Sequence, residues 1–372
     1  MQLDLIEGFR DPRHMDALAR LIKKETSRKI NIMEVCGGHT HTIMKFGLPQ
    51  ILPDFIEFIH GPGCPVCVMP KERIDHAIEL ASMPDTILAT LGDMIRVPGS
   101  KTSLQKLRAE GKDIRSLYSP LDVVKIAKQN PDKKVIYFAI GFETTTPMSA
   151  VLIEQVVKEN IKNLYFHINH VLVPEPIEAI MSDEETKINA FLGPSHVSVI
   201  TGYGMFEPLV DKFKTPIVVA GFEPVDVMEA ILMIVRQFND GRCEVENQYK
   251  RAVSKDGNTK AQKLIYTYME KRKHFRWRGI GDIPKSALKL KDEYSHLDAE
   301  VVFGDFLTHK ELDDNKMCIC GDILKGKAKP YDCKVFGKAC NPGNPMGSCM
   351  VSSEGACSAY FKYGKFVGKG MK

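Results

Sequence analysis

The residues able to do chemistry fall in two groups along the chain. Near the front, Cys36 opens the run Cys-Gly-Gly-His-Thr-His, with His39 and His41, and Cys64 and Cys67 follow in Gly-Pro-Gly-Cys-Pro-Val-Cys. A thiol with imidazoles at alternate positions beside it is a mixed sulfur and nitrogen donor set, which suits a soft metal. The competing reading of the run is a tight turn with a buried cysteine and two capping histidines. The Cys64/Cys67 pair has three possible roles: a redox dithiol, half of a zinc site completed by Cys36 and a histidine, or an inert turn. Its expected place between a strand and a helix favours the dithiol, because a helix N-terminus stabilises thiolate.

The second group is Cys318, Cys320, Cys333, Cys340, Cys349 and Cys357, all within the last 55 residues. The stretch around them is made of Gly, Pro and Ser with few large apolar side chains, so thiol or metal chemistry must hold it. After Cys318-x-Cys320 the gaps are twelve, six, eight and seven residues, without the paired Cys-x-x-Cys knuckles of structural zinc. Irregular spacing with Pro and Gly suits a [4Fe–4S] cluster, which takes four thiolates, with Cys320, Cys333, Cys340 and Cys357 preferred. The remaining two cysteines would then stand as a dithiol beside it, pairing a one-electron with a two-electron centre. Glu354, in Ser-Ser-Glu-Gly, is a candidate proton source; the alternative is an exposed surface carboxylate.

These groups have to be carried by ordinary globular architecture. With 372 residues, 44 % hydrophobic and 26 % charged, the chain is long enough for two or three cored domains. A net charge of +4 is too small to argue for nucleic acid by itself. The run Lys271–Arg278, with Phe275 and Trp277, could grip phosphates and stack bases, but reads first as a solvated helix end or docking surface. Residues 1–13 are acidic and broken by Gly8 and Pro12, and no apolar run is long enough for a membrane span. The expected compartment is the cytoplasm, where thiols stay reduced and ten cysteines point to metal or redox chemistry rather than a disulfide scaffold.

The hydrophobic pattern alternates short apolar strands with amphipathic helices, the mark of a parallel α/β fold. Strands are expected over 30–35, 55–59, 86–91, 135–140, 164–168, 197–200 and 216–220. Helices are expected over 11–24, 71–82, 121–129, 148–160, 176–182 and 225–238. Ligands of such sheets collect beyond the carboxyl ends of strands, where Cys36 would sit. Gly-Phe-Glu occurs twice, at 141–143 and 221–223, each time between an expected strand and a helix. Glu143 in the first copy, and His196 in Pro-Ser-His-Val-Ser, could face the same edge, though each alone reads as a cap or turn.

Taken together, Cys-Gly-Gly-His-Thr-His at 36–41, Gly-Pro-Gly-Cys-Pro-Val-Cys at 61–67, Gly-Phe-Glu-Thr-Thr at 141–145, Pro-Ser-His-Val-Ser at 194–198 and Met-Val-Ser-Ser-Glu-Gly-Ala-Cys at 350–357 resemble the HypD family of [NiFe]-hydrogenase maturation factors. The resemblance implies a cytoplasmic scaffold that assembles an Fe(CN)₂CO unit with the HypC chaperone and accepts cyanide from HypE. It implies two Rossmann-like parallel α/β domains, 30–120 and 121–240, plus a smaller C-terminal iron–sulfur domain, 241–372, with the 1–29 helix packed on that last domain. Cys36 would hold the transient iron that carries CN and CO, with His39 and His41 orienting it or moving protons. Cys64 and Cys67 would supply electrons, fed by the cluster. The cluster region is also similar to ferredoxin–thioredoxin reductase, so a disulfide oxidoreductase is the alternative, and an iron–sulfur nucleic-acid protein a more distant one.

Overall fold

The computed structural model describes residues 7–312 and 315–364. The parts of the expected first and last segments at 1–6, 313–314 and 365–372 lie outside these. The fold is α/β, with two parallel sheets. The strands are β1 (Ile30–Glu34), β2 (Ile56–His60), β3 (Thr86–Leu91), β4 (Asp113–Leu117), β5 (Lys134–Gly141), β6 (Leu164–His170), β7 (Ala190–Pro194), β8 (Ile217–Ala220) and β9 (Val245–Asn247). The first sheet runs β2-β1-β7-β8-β9 and the second β4-β3-β5-β6. β5 is Lys-Val-Ile-Tyr-Phe-Ala-Ile-Gly, buried almost throughout, as a central parallel strand covered on both faces must be.

The chain starts the first sheet, leaves it to build all of the second, and then returns. Each of the expected segments 30–120 and 121–240 therefore gives strands to both sheets; the second sheet is built from consecutive strands, whereas the first is interrupted by it. Alternate side chains explain how the sheets meet. Ile30, Ile32, Phe58, Leu192 and Val218 face one way, under helices, whereas Met33, Ile59, Phe191 and Val219 face the other, into the largest core cluster. The second sheet sends Leu88, Ile136, Phe138 and Ile140 into that same cluster.

Among the described residues the helix Pro12–Glu25 packs chiefly on the chain at 224–239, not on the cysteine-rich region where it was expected. Its stripe of Leu18 and Ile22 lies against the helix Pro224–Asn239 over the first sheet. Arg236 clamps Glu25 through two bonds of 2.9 and 3.0 Å, and Arg10 reaches Glu223. The residues 197–200 are not a strand: they belong to the helix Ser195–Thr201, which follows directly on β7. Residues 269–290 form two short antiparallel pairs, Met269–Lys271 with Leu288–Leu290 and His274–Trp277 with Gly281–Pro284. The basic run is thus strand, not helix end. Phe275 and Trp277 are buried, Lys271 is paired with Glu175, and Arg272 with Glu300. No stacking platform for bases is formed by these rings. Among the described residues no helix is long and apolar enough to cross a membrane.

Candidate thiol and metal site

The carboxyl ends of both sheets open onto one cleft of about 540 Å³. Cys36 enters it after β1, Gly63 after β2, Gly92 after β3, Tyr118 after β4, Phe142 after β5 and His196 after β7, and Ser352, Ser353 and Glu354 close a further side. This is the edge where a parallel sheet gathers its chemistry.

Cys36 is the N-cap of the helix Gly37–Lys45. What fixes its loop is Glu34, the last residue of β1, wholly buried. One carboxylate oxygen accepts from the Cys36 N–H at 3.0 Å; the other accepts from the Thr40 hydroxyl and lies 2.7 Å from His60 Nδ1. The glycines here serve close approach. A Cβ on Gly63 would run into the Cys36 backbone, and one on Gly37 into Glu354. Burial pushes the Cys36 thiol up, the negative charge of Glu354 adds to this, and the Gly38 and His39 N–H groups work against it. A cation or metal at the sulfur is what would make it a thiolate.

The two expected imidazoles do not flank that sulfur. In a helix, positions two apart point about 200° from one another, whereas in a strand they would share a face. His39 turns inward, its Nε2 at 3.1 Å from the carbonyls of both Ala220 and Gly221, with its ring against Phe222. His41 faces the C-terminal helix Ala356–Tyr363, edge-on to Tyr363 at 5.2 Å. The imidazole that does line the cleft is His196, its ring tilted against Phe222 with centroids 4.1 Å apart. Burial lowers its pKa, and neighbouring His39 adds to the effect. Glu354 lines the cleft as well, and burial raises its pKa, with Asp93 contributing.

Cys64 caps a single turn, Pro65–Val68, that contains Cys67, and the two are joined as a disulfide with Cα atoms 5.2 Å apart. Pro65 and Val66 line the cleft, while both sulfurs are buried behind them in the central core. Ser348 meets them there. Its hydroxyl donates to the Cys67 carbonyl at 2.8 Å, and its own carbonyl is 3.9 Å from the Cys67 sulfur. The Arg278 N–H donates to the Val68 carbonyl at 2.7 Å, so the hairpin region holds the end of this turn. Among the described residues no three His, Cys, Asp or Glu side chains converge in a way that could hold a single metal ion, so the zinc set of Cys36, Cys64, Cys67 and a histidine is not assembled.

Cys318, Cys320, Cys333, Cys340 and Cys357 line one small apolar pocket with Ile323, Val335 and Met350. The Cys318 and Cys320 sulfurs are 3.0 Å apart, and a Cβ on Gly347 would approach them to 2.7 and 2.9 Å. The Met346 N–H reaches the Cys340 sulfur at 3.4 Å. Cys349, next to Ser348, is fully buried and is not on this lining. The donor set fits an iron–sulfur cluster: four or more thiols, apolar walls and an N–H on sulfur. Any four of these five thiols supply the number a cluster takes, and Cys320 is in hydrogen-bonding contact with Cys357 as well as Cys318.

Two contributors lacked a clear sequence signal. Glu34 was hidden within an apolar strand, although a carboxylate ending a buried strand beside a cysteine is the clue. His196 was visible as a histidine but was expected ahead of a strand rather than at a helix start.

Comparison with known proteins bears on this site as a whole. The profile of HypD, described as the Hydrogenase formation hypA family, matches residues 13–364. Hydrogenase maturation factor HypD2 of Bradyrhizobium diazoefficiens is 50 % identical over 369 residues, covering 97 % of each chain. Hydrogenase maturation factor HypD of Azotobacter vinelandii is 49 % identical, again over 97 % of both. That of Escherichia coli is 41 % identical over 96 % of this chain and 97 % of its own. With one profile spanning nearly all the described residues and full-length relatives at this identity, the chain belongs to the HypD family of hydrogenase maturation factors.

Proposed function

We propose that this chain is the scaffold on which the Fe(CN)₂CO unit of a [NiFe]-hydrogenase is assembled, with HypC as chaperone and HypE as cyanide donor. One relationship supports the reading above others. Cys36 opens into the cleft, and the Cys64–Cys67 disulfide lies just behind the cleft wall, against the cysteine-rich segment.

The cargo iron would bind the Cys36 sulfur, with a cysteine of the chaperone completing the sulfur ligation. Because burial keeps Cys36 as a thiol, loading iron displaces its proton. His196 and Glu354 share the cleft and are the groups available to take it. Cyanide carried as a thiocyanate, R–S–C≡N, leaves when two electrons cleave its S–C bond. Two thiols, Cys64 and Cys67, give those electrons and two protons, closing to a disulfide as R–SH and HCN depart. Pro65 and Val66 stand between the sulfurs and the cleft, so this exchange requires the 63–68 turn to open. A [4Fe–4S] cluster in the five-thiol pocket would supply single electrons beside that pair.

Infrared spectroscopy on the chain purified with its partners tests the reading. Cyanide and carbonyl stretching bands are expected, and Cys36→Ala should remove them while leaving the visible absorbance of the cluster. A loaded complex without such bands, turning over generic disulfides instead, would establish the reductase alternative.

A further inference from the structure

The Gly-Phe-Glu-Thr-Thr motif divides between two cavities. Phe142, Thr144 and Thr145 line the cleft, but Glu143 turns away into a separate cavity of about 190 Å³. Helices Pro174–Met181, Ser195–Thr201 and Thr259–Tyr268 contribute to its walls. Glu143 is only 6 % exposed. Its Oε1 accepts from the Val173 N–H at 3.0 Å, whereas its Oε2 is buried with no hydrogen-bond partner among the described residues. Glu175 repeats the pattern across the same cavity: Oε1 takes Lys271 Nζ at 2.7 Å, and Oε2 is buried and unpartnered. Buried polar oxygens are nearly always satisfied, so two of them on residues lining one cavity call for donors from outside the chain.

The second copy of the motif shows which donors fit. Glu223, in Gly221-Phe222-Glu223, is held by the Arg10 guanidinium, with Nε on Oε2 at 2.5 Å and Nη2 on Oε1 at 2.7 Å. At Glu143 the corresponding fork is not supplied by any described residue. We propose that this second cavity binds a guanidinium cation, whose N–H groups bridge Glu143 Oε2 and Glu175 Oε2 and whose stem lies on Leu172 and Ile265. Two carboxylates and the Lys271 ammonium leave one net negative charge, which one guanidinium cancels. The planar fork matches two carboxyl oxygens better than an ammonium does. The cation is carried either by a small molecule or by an arginine of a protein partner.

Burial holds Glu143 protonated until about pH 8, so the cation must displace its proton. The other groups that face it do not interfere near neutrality. Burial works to lower Lys271, but Glu175 carries it above its ordinary 10.5, and burial carries Tyr266 above 10.

The test is titration of the full-length protein with agmatine and with N-acetyl-arginine methylamide, followed by calorimetry. Saturable one-site binding is expected, about tenfold tighter at pH 9 than at pH 7. Both Glu143→Gln and Glu175→Gln should weaken it at least tenfold; the second serves if the first fails to fold. Agmatine binding more tightly than the blocked arginine identifies a small molecule as the source, and the reverse order a protein arginine. Failure of both probes to bind, equal affinity in the variants, or an affinity independent of pH would overturn the site. None of these readouts depends on iron loading, so the scaffold reading stands or falls separately.

Discussion

Ser348 donates its hydroxyl hydrogen to the carbonyl of Cys67 at 2.8 Å, across 281 positions of sequence. Through this bond the turn that carries the disulfide is seated on the segment that carries the other thiol group. Ser348 is fully buried, and Cys349 beside it is as well. The turn of the front pair and the cysteine-rich segment are therefore packed against one another in the core. The sequence spacing alone holds no trace of that proximity.

Ser348→Ala leaves the Cys67 carbonyl buried without its donor. The loss should destabilise the protein by about 1–3 kcal/mol, the usual penalty for an orphaned buried group. It should also speed reduction of Cys64–Cys67 by dithiothreitol, since the turn is then less firmly held. An unchanged urea midpoint with an unchanged reduction rate would show that the contact couples nothing.

Much of the fold could be read from the chain, and its failures have physical causes. β5 and β6 are long apolar runs and stood out; β4, Asp-Ile-Arg-Ser-Leu, is a half-polar edge strand and did not. β7 ends in Gly193-Pro194, which reads as a breaker, while the β-branched Val197, Val199 and Ile200 imitate the strand that actually precedes them. Sheet membership was not legible because parallel neighbours such as β1 and β7 are joined only by a long excursion. Within the site, residue type and spacing singled out Cys36, the Cys64/Cys67 pair and the C-terminal cysteines as candidates, but not that five of the last group line one pocket. The orientations of His39 and His41 did not, because they depend on a helix beginning at Gly37 rather than a strand continuing.

Gly63→Ala tests the close approach that seats Cys36. The added methyl has no space: a Cβ there would lie 2.7 Å from the Cys36 carbonyl carbon and nearer still to its nitrogen. Both partners are backbone, so the loop itself must move. Overpacking of this kind costs about 1–3 kcal/mol. Cys36 should also react at a different rate with iodoacetamide in the folded protein. A variant with wild-type stability and wild-type alkylation kinetics would mean that the glycine is dispensable.

Glu143 gives stability a pH dependence of definite sign. Burial raises its folded-state pKa from 4.5 to about 8, so between those values the folded state binds the extra proton. Stability falls as pH rises through that window. Glu143→Gln cannot ionise, so it should match the parent near pH 4.5 and exceed it at pH 9 by on the order of 4 kcal/mol. Urea unfolding of both proteins at the two pH values measures the difference. A constant gap would place the Glu143 carboxyl in water rather than in the cavity wall.

The thiol pocket makes the sharpest distinction among the cysteines. Cys333, Cys340 and Cys357 each line it from a different part of the chain, and each stands alone there, unlike the adjacent Cys318 and Cys320. Serine at any of the three should abolish the broad visible absorbance of the reconstituted protein. Cys349 is off the lining, so Cys349→Ser should keep that absorbance, losing at most the stability that a buried sulfur contributes. Cys318 and Cys320 are the informative pair. Their sulfurs are 3.0 Å apart, and Cys320 is the more buried, within the helix Cys320–Leu324, which makes it the preferred corner. Cys320→Ser should therefore bleach the protein and Cys318→Ser should not. The opposite result would transfer the fourth corner to Cys318 and leave Cys320, which also reaches toward Cys357, as the free thiol. Bleaching by Cys349→Ser, with the fold intact by circular dichroism, would rule out the pocket as the cluster site.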